Sequence, residues 1–71
     1  MQREFNVLIE EDEDGILVAS VPELPGCHTQ AKTLDELMVR IREAIELFME
    51  ERSRHEFIPK FVGFQRLSVE L

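Results

Sequence analysis

Residues 18–28 read Val-Ala-Ser-Val-Pro-Glu-Leu-Pro-Gly-Cys-His, and two prolines and a glycine within five residues interrupt a run that is otherwise β-prone. Proline fixes φ at roughly −65° and gives up its amide, so neither Pro22 nor Pro25 suits the interior of a sheet. Pro22 to Gly26 is therefore a corner, with one strand ending near Val21 and another formed by Cys27-His28-Thr29-Gln30.

Upstream of the corner, Phe5, Val7 and Ile9 alternate with Asn6, Leu8 and Glu10, the period of two of a strand with one face toward a core. Asp14-Gly15 supplies the positive φ that a hairpin turn requires, and Ile16 to Val21 resumes in β-prone residues. The first two strands thus form a hairpin. Downstream, Thr33-Leu34-Asp35-Glu36 matches a capping box, in which the Thr33 hydroxyl accepts from the Glu36 amide and the Glu36 side chain reaches back. Leu34, Leu37, Met38, Ile41, Ala44, Ile45, Phe48 and Met49 then recur at spacings of three and four, the stripe of an amphipathic helix from Leu34 to the neighbourhood of Arg52. Glu36 and Arg40 form an i,i+4 pair, and Arg52 and Arg54 suit the carbonyl end of the helix. After a connection over 53–59, Leu67, Val69 and Leu71 alternate with Arg66, Ser68 and Glu70, which predicts a last strand within 61–71. The order is βββαβ. It places the chain in the α+β class, as one domain over residues 1–71 with an antiparallel sheet and a helix on one face.

A single helix covers one face of such a sheet. The second strand is apolar on both faces, with Ile16 and Val18 on one and Leu17, Ala19 and Val21 on the other. The second face needs a cover, either the segment carrying Phe57, Ile58, Phe61 and Phe64 or the same surface of another subunit, and Leu17, Ala19, Val21, Phe61 and Phe64 are more than a 71-residue monomer can bury. A homodimer or tetramer is expected, with Leu17, Phe57, Phe61 and Phe64 at the contact.

The formal net charge of −7, from 15 acidic and 8 basic residues, opposes nucleic-acid binding, which draws most of its non-specific affinity from neutralised phosphates. A basic protein partner would be steered in by the same field. One cysteine excludes an internal disulfide, the opening MQREFNV lacks the apolar run of a signal peptide, and no segment approaches the roughly 18 apolar residues of a membrane helix. A cytoplasmic protein with no membrane association is expected.

Candidate chemistry is sparse. Glu11, Asp12 and Asp14 are adjacent but lack the regular ligand spacing of a calcium loop, and a hairpin tip reads as solvated charge. Cys27 and His28 point to opposite faces of a strand, and with His55 they fall short of the ligand set of a zinc site. No glycine-rich phosphate loop occurs. The residues therefore point to an interaction module without catalytic residues, metal or cofactor.

The blocks Glu13-Asp14-Gly15, Val18 to Gln30, Thr33-Leu34-Asp35-Glu36 and Ile41-Arg42-Glu43-Ala44-Ile45, in this order and spacing over nearly the whole chain, resemble the HicB antitoxin family. The resemblance implies a partial RNase H-like sheet with one helix, and the binding and neutralisation of a HicA-type toxin, a small basic mRNA-cleaving ribonuclease. Where the family usually has glycine before the helix start, this sequence has Ala31. Many members continue into a DNA-binding domain, whereas here Leu71 directly follows the last strand, so no DNA binding is expected from this chain alone. Within that resemblance the prolines hold Glu23 and Leu24 on a pre-ordered loop, and Asp12, Asp14, Glu23 and Leu24 are the expected partner-binding residues. The rival reading is a small metal-dependent nuclease, or a ligand-binding RNase H-like remnant, using Asp12, Asp14 and Glu23.

Overall fold

The structure, a computed structural model, describes residues 2–51 and 57–71, so the expectations for Arg52, Arg54 and His55 lie outside the described residues. Strands β1 (Leu8–Glu11), β2 (Leu17–Ser20) and β3 (His28–Ala31) precede helix α1 (Leu34–Glu51). The three strands form one antiparallel sheet in the order β1-β2-β3, with Leu8 opposite Ser20 and Ser20 opposite His28. The α+β arrangement with a helix on one face is as the sequence implies.

The β1–β2 hairpin closes on Asp12. Its carbonyl accepts from the Gly15 amide at 3.0 Å, and its Oδ1 accepts from the amides of Asp14 and Ile16, both at 2.9 Å. Gly15 takes φ +80°, the left-handed conformation that closes a three-residue loop at low steric cost. At the helix start the Thr33 hydroxyl accepts from the Glu36 amide at 3.2 Å, as the capping box requires. The other half of the box is absent, because the Glu36 carboxylate turns along the helix to Arg40 at 2.6 Å. Arg40 also donates to the Gln30 carbonyl at 2.7 Å, tying α1 to β3.

The core consists of Ala19, Val21, Leu24, Cys27, Ala31, Leu37 and Ile41. Helix α1 packs on β3 and β2, and its backbone stays clear of β1. Two expectations change here. First, Ala19 and Val21 are buried, and Leu17, expected at the subunit contact, packs partly buried against the same core on the face that the helix covers. The face without the helix carries Leu8, Val18 and, by alternation, Ile16. Secondly, residues 57–71 contain no helix or strand, so the fifth element is not formed within this chain. A strand exists only through pairing, and the alternating pattern of Leu67, Val69 and Leu71 finds no ladder partner in its own sheet. Among the described residues no helix is long and apolar enough to cross a membrane.

Candidate functional site

The corner is two consecutive turns. The Leu24 amide donates to the Val21 carbonyl at 3.0 Å and the Cys27 amide to the Leu24 carbonyl at 2.9 Å. Each proline occupies the second position of its turn, where its fixed φ is already correct, and Gly26 at the third position of the second turn has φ +91°, as a type II turn demands. The Val21 amide donates to the Cys27 carbonyl at 3.1 Å and closes the loop at its base.

This geometry turns Leu24 inward, to 0% exposure among the core residues. Glu23 is only 8% exposed. The expectation that the corner displays both side chains is therefore corrected: a loop closed by three main-chain hydrogen bonds has an inside, and Leu24 fills it. Glu23 serves the segment that leads into β1. Continuing the β1–β2 register by two residues sets Asn6 opposite Pro22. A proline gives no amide to a ladder, so regular pairing stops there. The Asn6 amide is instead taken up by the Glu23 carboxylate, at 3.0 and 3.3 Å to its two oxygens, and Asn6 Nδ2 donates a further bond at 3.0 Å. Burial pushes the Glu23 acid upward, but the donors from the Asn6 amide, its own amide and the Asn6 side chain outweigh it and hold the group below the ordinary carboxylate value. Burial alone pushes the Cys27 thiol upward.

Asp12 and Asp14 lie exposed at the hairpin tip. Six acidic residues and no basic one occur between Glu4 and Asp14. The structure does not join these carboxylates to Glu23: among the described residues no three His, Cys, Asp or Glu side chains are grouped as a metal ion would need. Asp12 is held in its own turn, and Glu23 by Asn6.

A groove of about 780 Å³ runs between the N-terminal segment and α1, lined on its apolar side by Phe5, Val7, Met38, Ile41, Ile45 and Met49. It exists because α1 sits over β2 and β3, leaving β1 uncovered on that side. Phe61 is half-buried, whereas Phe57 and Phe64 are exposed. Asn6 and the groove escape a reading by periodicity alone. Asn6 is recoverable by counting register from the Asp14-Gly15 turn, since only that count sets it against Pro22.

The described residues thus form a small α+β domain whose polar groups are spent on shaping turns and whose outward features are an acidic hairpin and apolar surfaces. The chain belongs to the HicB-like antitoxin family: the family model described as HicB-like antitoxin of bacterial toxin-antitoxin system matches residues 5–68. A UPF0150 protein of Archaeoglobus fulgidus is 55% identical over 65 residues, covering 92% of this chain and 93% of that relative. A UPF0150 protein of Synechocystis is 50% identical over 68 residues, covering 96% and 97%. Another, from Thermotoga maritima, is 34% identical over 67 residues, covering 93% and 89%.

Proposed function

We propose that this chain is the antitoxin half of a toxin–antitoxin pair and neutralises a small basic HicA-type ribonuclease by protein–protein contact, without catalysis of its own. Family membership supports an antitoxin role and implies a toxin partner. The observation that carries the finer reading is the acidic first hairpin, where Asp12 and Asp14 are exposed and uncompensated by any nearby Lys or Arg in sequence. Such a surface steers a basic partner and penalises an acidic one. In this reading Asp12 and Asp14 make the contact, while Glu23 and Leu24 fix the corner behind it. The protein acts in the cytoplasm as a homodimer or tetramer and needs no cofactor. No observation favours the nuclease alternative.

The test is co-expression with the product of a neighbouring short reading frame. Co-purification, and loss of that product's ribonuclease activity on adding this chain, is the expected result. Failure of the two to associate at low ionic strength, or RNA cleavage by this chain itself with magnesium or manganese, overturns it.

A further inference from the structure

The chain exposes far more surface than its mass warrants. Its accessible area is 6519 Å², about 1,900 Å² above the roughly 4,600 Å² expected of a compact monomer of 8.3 kDa. The radius of gyration is 14.0 Å, against about 11 Å for a compact chain of this length. The excess is localised: Val62 is 93% exposed and Leu67 83%, and Phe64, Val69 and Leu71 are also exposed.

We infer that segment 62–71 of one copy lies as a strand along the free edge of β1 in a second copy, with its apolar residues reaching the groove between α1 and the segment that leads into β1. Three observations meet here. The alternation of Leu67, Val69 and Leu71 with Arg66, Ser68 and Glu70 is that of a strand with one apolar face, yet among the described residues the segment joins no strand pairing. Strand β1 is an edge, its Ile9 is 44% exposed on the side shared with Ala19, and just before it Phe5 and Val7 line the groove with Met38, Ile45 and Met49. The other edge is less suited, because α1 packs over β3 and Arg40 occupies its Gln30 carbonyl.

The segment's own exit assigns it to a second copy. Ile58 to Phe61 lie beside Arg3 to Asn6 and Glu23, at the start of β1, and from Val62 onward the chain stands clear of its own sheet. Burying about 1,900 Å² on each of two chains is in the range of obligate dimers. The inference is independent of the antitoxin reading, since it concerns the isolated chain.

The experiment is a pair of measurements on the full-length protein. Sedimentation at micromolar concentration is expected to give the mass of two chains or a multiple, and Leu67→Glu with Val69→Glu to halve it or reduce it to one. In a 1:1 mixture of isotope-labelled and unlabelled parent chains, filtered NOE spectra are expected to show intermolecular contacts from the Leu67, Val69 and Leu71 methyls to Val7, Ile9 and Ile45. This second readout decides the matter even where the double variant fails to fold. A monomeric mass, tail-to-groove contacts that are only intramolecular, or intermolecular contacts from tail to tail alone would each overturn the inference.

Discussion

Asn6 and Glu23, seventeen residues apart, are joined by three hydrogen bonds, two from the Asn6 amide and one from its Nδ2, all to the one carboxylate. The pair fastens the chain before β1 to the proline corner after β2 at the point where Pro22 ends the ladder.

Glu23→Ala should therefore cost about 1.5–3 kcal/mol at neutral pH, the range for hydrogen bonds to a charged group. The folded-state acid of Glu23 lies below its ordinary value of 4.5, so its contribution is present above that pH and is lost as pH falls through the lower folded value. Urea midpoints from pH 7 down to pH 3 should show a shallower acid-side loss for Glu23→Gln than for the parent. Parallel curves would remove the pair from the account of acid stability.

Leu24→Ala should lower stability by about 3 kcal/mol, since it empties a site with no exposure at the centre of the corner. Thermal melts at fixed concentration measure it. A loss under 1 kcal/mol would mean that the loop collapses onto the vacancy.

Thr33→Ala should cost about 1 kcal/mol by leaving the Glu36 amide without its oxygen. Glu36→Ala should cost much less, because that carboxylate pairs with Arg40 in exposed surroundings instead of returning to the cap. Equal losses at both positions would restore the full capping box.

Gly26→Ala should destabilise by about 1–2 kcal/mol through its φ of +91°. An added Cβ would meet its nearest neighbour, Phe48 Cε2, at an ordinary 4.0 Å, so backbone strain and not crowding sets the cost. Gly26→Asn should accordingly be milder than Gly26→Ala in chemical denaturation, and the reverse order would point to crowding.

Purified chain should give no saturable, operator-sized shift with DNA at physiological salt, because a net charge of −7 works against phosphate contact. Electrophoretic mobility shift with genomic fragments upstream of the coding sequence checks this.

By itself the sequence determined the local elements. The Asp14-Gly15 turn, the proline corner, the Thr33 cap and the period of the helix are set by φ restrictions, missing amides and side-chain spacing within a few residues, and the order and spacing of these blocks already resembled the family that the chain matches over residues 5–68. Only the tertiary structure decided which way the corner faces. A hydrophobic leucine between two prolines reads equally as a displayed contact or as a plug, and the three main-chain bonds that close the loop make Leu24 the plug. The same holds for β2, whose two apolar faces are indistinguishable by alternation until the chain from Val21 through the corner and β3 brings Leu37 and Ile41 of the helix over Ala19. It holds again for residues 62–71, because periodicity specifies a strand's faces but says nothing of its partner, and hydrogen-bond partners for a strand come from elsewhere in space.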